Sequence, residues 1–324
     1  KEVGGAFGPS GREDAVRETI AGIAGAYIDD ITTDALGNLI CRKKGAGKKV
    51  LFAAHMDSIG VVATYIDENG FIRFSQVGGL YYADLVNITV RFANGTRGVI
   101  SFEEKTPMKD MTLAHMFIDI GAKNAEEARK LVQIGDVAVF EAPRFEQNGV
   151  LCGPYLDNRI GCVTLLLMME QLADKEIEND LYFVFTAQEE VGLRGAGAAA
   201  FAVEPDAAIA VDVTDTGDLP EMKSAMAVEL GKGPAVKVMD RSVICTPAVV
   251  DALEQAAKDC GVSAQREILL CGGTDTSALQ KARAGVQAGA VSIPTRYIHS
   301  PSELCAVSDV EDAAKLLAQY ALRK

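Results

Sequence analysis

Four apolar segments recur along the chain and predict buried strands. The first, at residues 49–54, reads Lys-Val-Leu-Phe-Ala-Ala and has polar residues on either side. A short, nearly continuous apolar run is typical of a strand that is buried on both faces of a parallel sheet. Residues 180–186, 207–213 and 288–293 have the same character.

Helical patterns separate these apolar segments. The first predicted helix, at about residues 12–26, follows Ser10-Gly11-Arg12-Glu13, which has the Ser-x-x-Glu form of a capping box. Further helices are predicted at about residues 159–173, 195–202, 247–260, 276–283 and 310–322. Buried strands that alternate with helices indicate an α/β fold with a doubly wound, mostly parallel sheet.

The middle of the chain has a different pattern. Short alternating strands are predicted at residues 61–66, 71–74, 85–92 and 98–101, with turn signals between them and one helix at about residues 125–132. We therefore expect a small β-rich domain at residues 60–142. It would be inserted into a discontinuous α/β domain formed by residues 1–59 and 143–324.

Histidine is scarce, and its positions are informative. The chain contains only His55, His115 and His299. His55 follows the first apolar strand, and His299 follows the last one. Ligands bind open α/β sheets at the carboxyl ends of their strands, so we expect these two imidazoles to lie near one another. His115 lies in the inserted region, and we interpret it as a structural residue.

Acidic residues occupy equivalent positions. Glu189 and Glu190 follow the second apolar strand, Asp212 lies in the third, and Asp157 begins an apolar helix. Taken singly, Asp157 could be a helix N-cap and the glutamates could be solvated charges. Asp212 needs a partner, because it is flanked by valines in a buried run.

Imidazoles and carboxylates without a thiolate suit zinc, cobalt or manganese. The number of candidate ligands suggests two ions with one bridging carboxylate, since a single catalytic zinc takes three protein ligands. In the pair Glu189-Glu190, one carboxylate can bind metal while the other takes a proton from water. Asp57 lies two residues after His55 and can orient that imidazole.

Composition narrows the function further. Lys and Arg total 32 and Asp and Glu total 45, giving a formal charge of −13, which argues against nucleic-acid or anionic-membrane partners. The seven cysteines are widely spaced without a Cys-x-x-Cys motif, so we expect reduced thiols rather than a disulfide framework. No targeting segment is evident, and no apolar run approaches the roughly 18–20 residues of a membrane span. We expect a cytoplasmic protein.

The order and spacing of several motifs are similar to those of the tetrahedral (TET) dimetal aminopeptidases, a family whose members are named glutamyl, leucyl or deblocking aminopeptidases and sometimes endoglucanases. The motifs cover almost the whole chain: residues 7–11 (Phe-Gly-Pro-Ser-Gly), 54–57 (Ala-His-Met-Asp), 156–159 (Leu-Asp-Asn-Arg), 188–195 (Gln-Glu-Glu-Val-Gly-Leu-Arg-Gly), 211–214 (Val-Asp-Val-Thr), 231–234 (Gly-Lys-Gly-Pro), 272–275 (Gly-Gly-Thr-Asp) and 293–300 (Ile-Pro-Thr-Arg-Tyr-Ile-His-Ser).

This resemblance implies roles for the candidate residues. Asp157 would bridge two divalent ions, Glu189 would be the general base, and Asp57 would orient a ligand. One ion would be completed by His55 and Asp212, and the other by Glu190 and His299. The resemblance also implies that the inserted domain is a small β-barrel that mediates assembly into a homo-oligomer, commonly a dodecamer.

We therefore expect a metal-dependent aminopeptidase, most simply a zinc enzyme, that acts on short peptides. The alternatives are a dimetal hydrolase of acylated amines or glycans, or a non-catalytic metal-binding assembly protein. Glycosidases normally use paired carboxylates without metal, which weakens the glycan alternative. The sequence departs from the family at Ser58, where Glu is usual, and at Met108, where many members have His after a pair of prolines.

Overall fold

The structure, a computed structural model, describes residues 2–28, 30–221 and 226–323, and for Met108 it describes the backbone alone. Within these residues the α-helices are α1 Glu2–Gly5, α2 Asp14–Ala24, α3 Ala125–Leu131, α4 Leu156–Leu172, α5 Arg194–Val203, α6 Pro247–Asp259, α7 Thr276–Gln280 and α8 Val307–Ala321. None of these helices is both long enough and apolar enough to span a bilayer.

The strands of the described residues fall into two sheets. In chain order they are β1 Asp30–Thr33, β2 Leu39–Lys43, β3 Lys49–His55, β4 Gly60–Ile66, β5 Ile72–Val77, β6 Thr89–Phe92, β7 Arg97–Phe102, β8 Met116–Asp119, β9 Val137–Glu141, β10 Phe145–Gln147, β11 Val150–Gly153, β12 Asp180–Thr186, β13 Ala207–Thr214, β14 Ala235–Met239, β15 Gln265–Ile268, β16 Gln287–Arg296 and β17 Glu303–Ala306.

The larger sheet has 11 strands among the described residues, in the order β1-β2-β12-β3-β13-β16-β17-β11-β10, with β14 pairing with β16 and β15. Its centre is parallel, because β3 pairs in parallel with β12 and β13, and β13 pairs in parallel with β16. These are the four strands predicted from the apolar runs. The pairings toward both ends of the sheet are antiparallel, so the α/β fold is confirmed and the sheet as a whole is mixed.

Both faces of the parallel centre are covered, as its apolar strands require. Phe52 packs into one apolar cluster with residues of α2, α4, α6 and α8, while Leu51 and Ala53 pack into another with residues of α5 and α7. Successive side chains of a strand point to opposite faces, so the continuous apolar run of β3 supplies both clusters.

The smaller sheet is a closed barrel with the strand order β4-β5-β8-β7-β6-β9, which confirms the expected inserted β-barrel. Its interior is apolar and includes Val61, Val90 and Ile118. The strand predicted at residues 85–92 was too long. A 3₁₀ helix ends at Leu85 and β6 begins at Thr89, and Asn87 between them has a left-handed backbone with φ of 61°.

The predicted capping box was wrong. The helix begins at Asp14 with Glu13 at its N-cap, and no side-chain cap bond forms. Ser10 Oγ instead donates to Asp57 Oδ2 at 2.6 Å, and Glu13 Oε1 accepts from the backbone N–H groups of Gly11 and Gln188. Contacts with the distant residues Asp57 and Gln188, together with the local contact of Glu13 with Gly11, therefore replace the capping box.

Candidate metal centre

The candidate residues meet at one edge of the larger sheet. His55 is the last residue of β3, Glu189 and Glu190 follow β12, and Asp212 lies near the end of β13. His299 follows β16, and Asp157 lies at the start of α4. Parallel neighbours end at the same edge, so the topology of the sheet brings the ends of β3, β12, β13 and β16 together.

His55 lies at the centre of the first group of side chains. Its imidazole is 2% exposed, and its Nε2 atom lies 3.1 Å from Asp157 Oδ1 and 3.6 Å from Asp212 Oδ1. Glu189 Oε2 is farther from this nitrogen, at 4.0 Å. The ligand atoms of His55, Glu189 and Asp212 all lie within 4.8 Å of one another, as do those of His55, Asp157 and Glu190.

His299 forms the second group with the other oxygen of Asp157. Its Nε2 atom lies 3.2 Å from Asp157 Oδ2 and 3.2 Å from Glu190 Oε2. The two oxygens of Asp157 therefore face two different imidazoles. This arrangement is suited to a carboxylate shared by two cations.

Asp57 contacts both His55 and the turn that carries Glu189 and Glu190. Its Oδ1 atom lies 3.5 Å from His55 Nδ1 and accepts the backbone N–H of Glu189 at 2.9 Å. Its Oδ2 atom accepts the backbone N–H of Glu190 at 3.2 Å and the hydroxyl of Ser10. The backbone oxygen of Asp57 lies closer to His55 Nδ1, at 3.2 Å, so Asp57 contacts the His55 ring through its main chain and its carboxylate and contacts the Glu189-Glu190 turn through its carboxylate.

The turn after β12 brings both glutamates into the same cavity. Gln188 has a left-handed backbone with φ of 58°, which breaks the alternation of a regular strand. Glu189 and Glu190 consequently both line the cavity.

The pKa shifts of the cluster indicate that added positive charge would stabilise it. Burial raises the pKa of Glu190 to about 7, with Asp157 adding to the effect and His299 opposing it. Burial alone would lower the pKa of His299, but Asp157 and Glu190 raise it to about 12. In addition, Glu190 Oε1 is buried without a hydrogen-bond partner. The donor set fits divalent cations, which satisfy carboxylates while leaving the imidazoles neutral.

Comparisons with known proteins agree with this geometry. A family profile described as M42 glutamyl aminopeptidase matches residues 37–316. The chain belongs to this family. A relative from Acetivibrio thermocellus named "Putative aminopeptidase" is 49% identical over 320 residues, covering 98% of this chain and 96% of its own.

Two solved structures extend the comparison. An aminopeptidase from the archaeon Desulfurococcus kamchatkensis is similar with a TM-score of 0.95 and 35% identity, covering 100% of this chain and 93% of its own. The TET1 peptidase of Pyrococcus horikoshii, described as able to assemble into a tetrahedron or a large octahedral shell, has a TM-score of 0.90 and 33% identity, covering 100% and 98%. The resemblance to TET aminopeptidases is confirmed, and this M42 chain is a hydrolase of the aminopeptidase class.

The structure adds two acidic residues that the sequence did not single out. Glu303 is buried, and its two oxygens accept the backbone N–H groups of Asp157 and His299, each at 2.9 Å. Asp275 is buried and accepts the hydroxyl of Thr186 at 2.6 Å. Asp275 is the last residue of the Gly-Gly-Thr-Asp motif, so the sequence did contain a signal that could have pointed to it. Glu303 gave none, because its partners are backbone groups.

The third histidine, which we interpreted as structural, lies outside the cluster. His115 ends a short 3₁₀ helix in the barrel region, and its Nδ1 atom lies 3.1 Å from Thr112 Oγ1.

The candidate metal centre opens into a cavity of about 490 Å³. Its wall also includes apolar residues of neighbouring loops, among them Leu193, Leu269 and Ile298. This M42 chain therefore combines its candidate metal centre with enough space for a small peptide terminus.

Proposed function

We propose that this chain is a metal-dependent aminopeptidase that removes N-terminal residues from short peptides. The observation that carries the proposal is the placement of Asp157, whose two carboxylate oxygens face His55 and His299 at 3.1 and 3.2 Å. Two divalent ions would be held by His55, Asp157, Glu190, Asp212 and His299. Bound there, they would supply Lewis acidity toward the scissile carbonyl and a water of lowered pKa.

Zinc is the metal that we propose, because two imidazoles with carboxylates are typical zinc ligands and no cysteine enters the cluster. Cobalt and manganese accept similar donors and are the alternatives. The described cysteines are all free, which agrees with a reducing compartment, and we propose a cytoplasmic location.

Glu189 is the proposed general base. It lines the cavity, and its backbone N–H is fixed by Asp57. Its Oε2 atom lies 4.0 Å from His55 Nε2, so no hydrogen bond to that nitrogen holds it. A carboxylate so placed can take a proton from the attacking water and deliver it to the leaving amine. Asp57 is proposed to act only by orienting His55 and the turn that carries Glu189.

We also propose that residues 60–142 form a domain that mediates homo-oligomer assembly, separate from a catalytic domain of residues 1–59 and 143–324. The closed barrel between Gly60 and Glu141 supports this division. The P. horikoshii relative supports a tetrahedral shell, for which a dodecamer is the proposed form.

The decisive experiment combines metal analysis with a panel of aminoacyl p-nitroanilides, each paired with its N-acetylated form. We expect about two divalent ions per subunit, hydrolysis of at least one free-amine substrate, loss of activity on chelation and recovery with zinc, cobalt or manganese. Cleavage of acylated substrates alone would instead support the acyl-hydrolase alternative. Bound metal without any hydrolysis would support a non-catalytic assembly protein. Membership of the M42 aminopeptidase family favours neither the acyl hydrolase nor the non-catalytic assembly protein.

A further inference from the structure

One carboxylate in the cavity stands apart from the metal cluster. Asp215 is the first residue after β13, three residues after Asp212, and it is an exposed residue that lines the cavity. In the described parts of the chain its carboxylate has no hydrogen-bond or ion-pair partner. The nearby Asp218, by contrast, is paired with Arg296 at 2.6 Å and accepts the backbone N–H of Leu230.

The Asp215 carboxylate is within electrostatic reach of the metal cluster. Burial of part of this side chain raises its pKa, His299 lowers the pKa again, and Asp157 raises it. Asp215 lines the same cavity as the candidate metal ligands, so the side chain of a substrate held in that cavity can contact it.

Much of the remaining wall is apolar or small. Leu193, Leu269 and Ile298 line it, and Gly272 and Gly273 leave space beside them. No Lys or Arg side chain is found among the lining residues that the structure describes. The cluster itself offers no surplus positive charge, because two divalent ions do not fully neutralise Asp57, Asp157, Glu189, Glu190 and Asp212.

We propose that Asp215 recognises the side chain of the substrate's N-terminal residue, and that the enzyme prefers Lys or Arg at that position over Glu or Asp. The proposal rests on the aminopeptidase function above. The aliphatic stem of Lys or Arg would lie against Leu193, Leu269 and Ile298. Its cationic head would form a charge-assisted hydrogen bond with Asp215. An acidic side chain would meet an unpaired like charge with no cation to offset it.

The first test compares Lys-, Arg-, Leu- and Glu-p-nitroanilide on the metal-loaded, full-length protein. We expect kcat/KM for Lys to exceed that for Glu by about a hundredfold, because like-charge juxtaposition is costly. Lys should exceed Leu by a smaller factor of about five, since Asp215 is exposed and its ion pair is partly screened. Raising the ionic strength should reduce the Lys-to-Leu ratio, because salt screens exposed pairs.

The second test changes Asp215 itself. Asp215→Asn should lower kcat/KM for Lys about fivefold, mainly through KM, while leaving Leu unchanged and raising Glu. Asp215→Lys should reverse the order of Lys and Glu. Asp174→Asn is the matched control, because Asp174 is also exposed but lies in the loop before β12, at the opposite edge of the sheet.

The outcomes separate this proposal from the one on which it rests. Activity that favours Glu over Lys, or an Asp215→Asn variant whose Lys-to-Leu ratio equals that of the wild type, would overturn the role of Asp215 and leave the aminopeptidase intact. Failure to cleave any aminoacyl substrate with metal bound would overturn both.

Discussion

The molecule contains two buried clusters of charged side chains, and they differ in how their carboxylates are neutralised. The first is the candidate metal centre around His55 and His299. The second, which we call the Lys237 cluster, consists of Lys237 on β14, Glu267 on β15 and Asp240. Lys237 Nζ lies 2.7 Å from Glu267 Oε1 and 3.3 Å from Asp240 Oδ2, and all three side chains are 0% exposed.

In the Lys237 cluster the chain supplies its own permanent cation. Burial would lower the pKa of Lys237, but Glu267 and Asp240 raise it above its usual value, so the ammonium stays charged. Hydroxyl groups contribute as well, since Thr214 donates to Glu267 at 2.9 Å and Thr274 to Asp240 at 3.3 Å.

The metal centre contains no Lys or Arg among its described contacts, only imidazoles whose charge depends on protonation. A carboxylate oxygen without a hydrogen-bond partner does not separate the two clusters, because Glu190 Oε1 and Glu267 Oε2 both lack one. The source of the cation does separate them. Buried acids that the chain itself does not neutralise indicate a site for an external cation.

The largest expected effect concerns Glu189, the carboxylate of the metal centre to which we assign chemistry rather than metal binding. Glu189→Gln keeps the size of the side chain but removes its ability to accept a proton. We expect kcat to fall by about 10²- to 10⁴-fold with metal content unchanged, as measured by p-nitroanilide turnover and elemental analysis. If metal is lost together with activity, Glu189 is a ligand, which its grouping with His55 and Asp212 also permits.

The next effect concerns stability rather than turnover. Lys237→Met leaves Glu267 and Asp240 buried without their cation, and we expect the free energy of unfolding to fall by about 3–5 kcal/mol. Urea unfolding measured by circular dichroism tests this. Adding Glu267→Gln to the variant should recover part of the loss, because it removes one of the two stranded charges.

A chelator provides the matched control for this comparison. Removing metal should lower the melting temperature of both the wild type and the Lys237→Met variant, because ions that bind only the folded state stabilise it. The decrease should be similar in the two proteins. A chelator effect that disappears in Lys237→Met would show that the two clusters are not independent, and would contradict the separate origin of their cations.

Burial also decides which strands of the fold could be predicted from the sequence. The parallel strands β3, β12, β13 and β16 were predictable, because burial on both faces demands continuous apolar runs. The edge strand β10 was not predictable, because all of its residues are exposed and nothing in its pattern distinguishes it from a loop.

The candidate site divides in a similar way. Residues placed directly after buried strands, such as His55 and Glu190, could be predicted, and their roles stay predictions until tested. Glu303 could not be found, because it acts through bonds to the backbone N–H groups of Asp157 and His299, and only the folded chain brings these together. Lys237 was equally hidden, since a lysine in a strand is ordinarily exposed.

The smallest expected effect concerns Ser10, whose predicted capping role was wrong. Its hydroxyl is one of three donors to Asp57, beside the backbone N–H groups of Glu189 and Glu190. Ser10→Ala leaves the two backbone donors in place, so we expect kcat/KM to fall only about three- to tenfold, the net value of one typical hydrogen bond. Metal content should stay constant, and Ser10→Thr, which keeps the hydroxyl, should restore most of the activity. Ser308→Ala, at an exposed position on α8, is the control. Equal losses in Ser10→Ala and Ser10→Thr would mean that Ser10 acts through packing, and that the orientation of Asp57 depends on the backbone donors alone.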